Sequence, residues 1–175
     1  MLGGSCSPLK DVDFALNQLV EVAVPALSPG SNDPYTALAG VDRLGAALSL
    51  LAHRKTPAAN RFHKHHTLRL QMSAVRFADL VNVAFNQIRQ YGRGSAAVTM
   101  RMLESIAAIA PFAAAEKKCE ALERQAQMIH RGSREGLPEA NDRANVDRRF
   151  SRALMALEAG ERTRRSAAAK YLRSA

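Results

Sequence analysis

The stretch Ala26-Leu27-Ser28-Pro29-Gly30-Ser31-Asn32-Asp33-Pro34-Tyr35-Thr36-Ala37 leaves the chain few options, because it writes a helix stop and a helix start side by side. Pro29 fixes φ and Gly30 reaches positive φ at little cost, so the pair breaks whatever precedes it. Asp33 offers a carboxylate to the orphan N–H groups of a new first turn. Pro34 gives up an N–H that had no partner there. Asn32 adds a short polar side chain for an Asx-type turn. Free N–H groups at a helix start also attract anions, but Asp33 partly cancels that field. The stretch therefore reads first as a helix–helix corner.

Apolar residues at helical spacing lie on both sides of it. Leu16, Leu19, Val20, Ala23, Val24 and Leu27 predict a helix over about 13–26, with Pro25 disturbing its last turn. Ala37, Leu38, Val41, Leu44, Leu48 and Leu51 predict a second helix over about 34–53. Gly40 and Gly45 weaken that helix, so their use is the close approach of a neighbour. Leu68 to Met72 alternates apolar and polar residues, the period of a half-buried strand. It forms an extended segment alone or a hairpin with Arg61 to His65. Phe77, Leu80, Val81, Ala84, Phe85, Ile88 and Tyr91 define the cleanest stripe, over 76–91, which Gly92 stops. A fourth helix starts near Ser95 and ends or kinks at Pro111. A fifth runs to about His130, and a sixth covers about 141–159.

Composition agrees with this pattern. Apolar residues make up 47% of 175 residues, Trp is absent, and Ala, Leu and Arg outweigh β-branched residues, as all-helical chains require. The fold predicted is all-α: an antiparallel bundle of about six helices, with one short extended segment or hairpin near residues 61–72. Residues 1–10 form an unmatched segment, 11–160 the helical domain, and 161–175 a basic tail that is frayed or disordered. Cys6 and Cys119 make neither a disulfide framework nor a metal pattern. No stretch approaches the ~20 apolar residues of a membrane span.

The net charge of +9 is uneven. Residues 1–52 carry −3, residues 53–93 carry +7, residues 94–130 are neutral, and residues 131–175 carry +5. Basic surface serves nucleic acid, anionic lipid headgroups or a solvated face. Arg162, Arg164 and Arg165 mark the tail.

Three constellations bear on chemistry. His63 and His65 share one side of an extended segment and are the metal candidates. No third ligand stands at a fitting spacing and Lys64 repels a cation, so no metal or other cofactor is expected. Asp42 and Arg43 meet Gln87, Arg89 and Gln90 if helices two and three pack together. Such groups form either an ion pair with amide hydrogen bonds or a polar pocket, with Asn32 and Asp33 at the head of the same helix. Gly92-Arg93-Gly94 is too short for a phosphate loop. No nucleophile–base arrangement stands out, and an enzyme is not the favoured reading.

Certain words belong together: Phe14-x-Leu16, Gln18-Leu19-Val20, Leu27-Ser28-Pro29-Gly30-x-Asn32-Asp33-Pro34, Val41-Asp42-Arg43-Leu44-Gly45, and Gln87-Ile88-Arg89-Gln90-Tyr91-Gly92. They resemble the C-terminal soluble region of an uncharacterised bacterial family of predicted membrane proteins, domain of unknown function twenty-two fifty-four. In that family a block of transmembrane helices precedes this region. Pro25 departs from the family pattern. The resemblance implies a fragment, a truncated reading frame or a stand-alone form of the soluble module, at the cytoplasmic face of an inner membrane. It implies no activity. The function expected is an interaction or sensory module. Its partners would be a membrane surface, a membrane protein or a second copy of the chain. A nucleic-acid-binding helical protein and a small-ligand binder or enzyme are the alternatives.

Overall fold

A computed structural model describes residues 12–54, 60–62, 68–71 and 76–174; in the strands and along most of the last turns of the final helix it describes the backbone. The helices are α1 (Val12–Ala26), α2 (Pro34–His53), α3 (Phe77–Gly92), α4 (Ala96–Ile109), α5 (Glu116–Gly136) and α6 (Ala140–Ser174). Two short strands, β1 (Asn60–Phe62) and β2 (Leu68–Gln71), pair antiparallel between α2 and α3. Their register sets Asn60 opposite Gln71 and Arg61 opposite Leu70, with an irregularity between Arg61 and Phe62. The all-α bundle with a small hairpin is the architecture the sequence predicts.

The corner works with one change of detail. Asp33 caps α2: its Oδ1 accepts from the Thr36 N–H at 3.1 Å, and its Oδ2 accepts from the Thr36 hydroxyl at 2.6 Å. Pro34 takes the first helical position. The left-handed residue is Asn32, with φ of 42°, and no described glycine has positive φ. Asn tolerates that conformation better than other residues with a Cβ. Pro25 sits one residue inside the end of α1.

α4 is the central helix, packed between α2 and α6 and also touching α5. Met102, Leu103, Ile106 and Ile109 give it a fully buried face, each such side chain worth about 1.5–3 kcal/mol of transfer free energy. α1 covers α2 and α3, while α5 joins α3 to α6. Small residues set the spacings. A Cβ on Gly40 would stand 2.7 Å from the Ala23 Cβ, and one on Gly45 would stand 3.0 Å from the Ser105 hydroxyl.

These contacts define two poles. The corner, the α3–α4 turn and the α5–α6 turn meet at one: Leu27 approaches Gly92, and Gly136 lies against the Arg93 carbonyl. At the other pole, Lys118 of α5 donates to the carbonyls of Ala52 and Arg54 at 2.8 and 2.9 Å. Its ammonium lies 5.5 Å from the centre of the Phe77 ring. Pro111 ends α4 there in a short 3-10 turn, Ala110–Phe112, and Gly160 of α6 packs on the Ala110 carbonyl.

Two helices outrun the sequence reading. Gly132 and Ser133 stay inside α5, where Ser133 is buried and donates to the His130 carbonyl. Gly160 does not stop α6, which continues to Ser174. Both glycines sit against neighbouring backbone or side chains, so packing outweighs their weak helix propensity.

Candidate functional site

The side chains singled out around the corner have structural occupations. Asn32 and Asp33 are exposed. Asp33 is spent on the α2 cap, and its hydrogen bonds from Thr36 hold its carboxyl below the usual carboxylate range. Asp42 pairs with Arg101 of α4 at 3.4 Å. Arg101 also approaches Glu104, and Glu104 accepts from Arg149 of α6 at 2.8 Å. The result is a chain of charges bracing α2, α4 and α6 along a half-exposed seam. Arg43 is exposed and takes no part in it.

The polar residues of α3 point elsewhere. Gln87 and Gln90 are exposed, and Arg89 is partly buried. Positions 82, 86, 89 and 93 share one helical stripe. Asn82 accepts from Arg124 of α5 at 3.1 Å, and Arg93 abuts Gly132 of α5, so this stripe follows the α3–α5 seam. No hydrogen bond or ion pair joins Asp42 or Arg43 to Gln87, Arg89 or Gln90. The helix-two acid finds its partner on α4.

Buried polar groups cluster where the apolar pattern hid them. Gln125 is fully buried in α5, and neither amide atom has a partner among the described residues. Asn86 Oδ1 and Arg89 Nε on the same seam are also buried without one. Positions 122, 125, 126 and 129 read as a core stripe, so Gln125 carries the signal as the one amide on it.

A second cluster joins α5 to α6. His130 Nε2 lies 2.7 Å from Asp147 Oδ1, and its ring stacks on Phe150 at 4.2 Å. Arg134 donates to Asp147 Oδ2 at 3.0 Å. The His130 hydrogen bond, then the Arg134 charge, hold the Asp147 carboxyl below its ordinary range. The one-turn spacing of His130 with Arg134 was readable in the sequence, but not the partner helix. An acid–imidazole pair needs a nucleophile to become a catalytic relay. The nearby Ser133 hydroxyl is turned to the His130 carbonyl and does not address the ring.

The Lys118 ammonium is also perturbed: burial lowers its pKa. A groove of about 330 Å³ opens between Ala110–Ala114 and α6 from Ala156 to Thr163. Alanines dominate its walls, and none of the clustered polar residues lines it. Among the described residues no three His, Cys, Asp or Glu side chains converge as a metal set. His63 and His65 lie outside the described residues. Arg162 is exposed on α6, and Arg164 and Arg165 follow on its helical backbone. No described helix is long and apolar enough to cross a membrane.

The family model described as predicted membrane protein (DUF2254) matches residues 1–108. Uncharacterised proteins of Mycobacterium bovis and of two Mycobacterium tuberculosis strains are each 32% identical over 149 residues, 85% of this chain. The chain spans 29% of the length of these curated relatives. No solved structure matches it. The corner, the α2 words and the α3 words all lie within the matched region, and the chain belongs to this family of predicted membrane proteins.

Proposed function

We propose that the chain is a non-catalytic interaction or sensory module that works at the cytoplasmic face of a bacterial inner membrane. The observation that carries this reading is the occupation of its family words. Asp33 caps a helix and Asp42 braces α2 to α4, and both roles support a module whose family words build its body. What such a body offers a partner is its outer surface. Membership in a family of predicted membrane proteins supplies the setting. A membrane surface, a membrane protein or a second copy is the partner class.

Topology is the test. A fluorescent protein and alkaline phosphatase are fused in turn to the end of the matching region of the Mycobacterium tuberculosis relative. Fluorescence without phosphatase activity, in a membrane pellet, is the expected result. Phosphatase activity would place the module on the opposite face and overturn the reading.

A further inference from the structure

One amide stands in the core. Leu122, Ala126 and Ile129 are buried on α5, and Gln125 is buried with them at 0% exposure. Neither its Nε2 nor its Oε1 has a hydrogen-bond partner among the described residues. Burying an amide is costly unless it is bonded, so buried amides pair with protein groups or with ordered water.

The contacts of α3 with α5 give the register of the seam. Phe77 meets Lys118, Asn82 meets Arg124, and Arg93 meets Gly132 and Gly136, so the two helices run the same way. Gln125 lies two turns before Gly132 on one stripe of α5. Asn86 lies two turns before Arg93 on the facing stripe of α3. Gln125 and Asn86 therefore stand opposite each other, with Arg89 one turn further along α3. Asn86 Oδ1 and Arg89 Nε are also buried without a partner, on side chains that are otherwise half-buried. Arg124 on Asn82 closes the seam above this cluster, and Arg93 against Gly136 closes it below.

The chemistry of the unmet atoms selects what fits between them. Gln125 Oε1 and Asn86 Oδ1 are acceptors; Gln125 Nε2 and Arg89 Nε are donors. The guanidinium repels a cation, and an anion would leave both carbonyl oxygens unmet. An apolar ligand would leave all four atoms unmet. Gln125 is closed off from the surface, so the ligand is small. Water both donates and accepts, and it settles in polar interior sites with this mix of partners.

We infer that the α3–α5 seam binds internal water, which bridges the Gln125 amide to Asn86 Oδ1 and Arg89 Nε. The half-buried side chains of Asn86 and Arg89 mark the side from which it enters and leaves. The bridge gives an amide a use in a core stripe: it ties α5 to α3 through water where an apolar pair would tie them by direct packing.

NMR on the full parent chain tests this without any variant. The Gln125 side-chain amide protons should show Overhauser contacts to water of opposite sign in the laboratory and rotating frames, the signature of a long-held water. Their absence would overturn the inference. Oxygen-17 relaxation dispersion is then compared between the parent and Gln125→Met, which keeps the side chain's length and removes its amide. The dispersion amplitude should fall in the variant, and equal amplitudes would overturn the inference. Asn86→Ala should lower Tm by about 2–4 °C in the parent. In the Gln125→Met background it should cost roughly half of that or less, because the two side chains share one bridge. Circular dichroism confirms that each variant is folded. Equal falls in the two backgrounds would show that the side chains share nothing and would also overturn it. Coupling with unchanged dispersion would mean that the two amides bond each other directly, and would remove the water.

Discussion

The two poles of the bundle are joined by different physics. At the closed pole, backbone meets backbone: a Cβ on Gly136 would stand 2.5 Å from the Arg93 carbonyl oxygen. The α3–α4 and α5–α6 connections there are only a few residues long. At the opposite pole, one flexible side chain, Lys118, ties the start of α5 to the Ala52 and Arg54 carbonyls at the end of α2. A close-packed joint cannot absorb a methyl group, because the neighbouring atoms have nowhere to go. A side-chain stitch can be cut with a local loss. The difference assigns rigidity to one end and adaptability to the other.

Gly136→Ala breaks the closed pole most directly. Alanine gains up to ~1 kcal/mol of helix propensity over glycine. The Arg93 backbone cannot swing aside as a side chain would, so the net effect should be destabilising by about 2–3 kcal/mol. For a chain of this size that is a fall in Tm of roughly 5–10 °C. A thermal melt followed by circular dichroism measures it. An unchanged Tm would show that the closed pole is looser than its geometry.

The matching cut at the other pole is Lys118→Met, which keeps the stem and removes the ammonium. Two charge-assisted hydrogen bonds to helix-end carbonyls are lost, at a net cost of about 1–2 kcal/mol. The informative readout is local. Hydrogen exchange should quicken over the last turn of α2 and the first turn of α3, while the Leu137 amide, bonded to Ser133 O at 2.9 Å, keeps its rate. Equal acceleration at both poles would erase the distinction.

The two poles also differ in how far they were legible. The closed pole is short-range chemistry, so Pro29, Asn32, Asp33, Pro34 and Gly92 announce it. Core stripes were legible for the same reason: Phe77, Leu80, Val81, Ala84, Phe85 and Ile88 are all buried. Tyr91 continues that period yet is 64% exposed, because α3 has reached the pole and Gly92, not Tyr91, packs under Val98 and Leu27. Partner choice between helices was illegible. Asp42 reads as a partner for Arg89 only if α2 faces α3, but its ion pair is with Arg101 on α4. The ends expected near His130 and Ala159 fall short because Gly132 and Gly160 pack on Arg93 and Ala110, neighbours in space that are far away in sequence. Pairing of helices, not spacing along one, decides which polar groups meet.

Asp147→Asn sits between the extremes. It weakens the carboxylate that His130 and Arg134 share across α5 and α6. The carboxyl is 42% exposed, so solvent screening keeps the cost below about 1 kcal/mol. Adding about 1 M salt should shrink the difference between parent and variant further. A loss as large as that of Gly136→Ala would mean that the α5–α6 joint depends on this cluster more than on backbone packing.

Asp33 offers the smallest and most specific test. Its folded-state pKa is lowered by the Thr36 hydrogen bonds. A lowered pKa means that the ionised group stabilises the fold above the ordinary carboxylate pKa, and that this contribution fades as pH falls below about 4 through the folded value. Asparagine is also a good N-cap but does not titrate. Asp33→Asn should therefore melt slightly below the parent at pH 7, and the gap should close on acidification. Asp147 titrates with the same sign in both proteins, so it cancels in the comparison. A gap that widens in acid would show that the Asp33 charge opposes the α2 terminus rather than supporting it, contrary to a carboxylate placed at the positive end of a helix dipole.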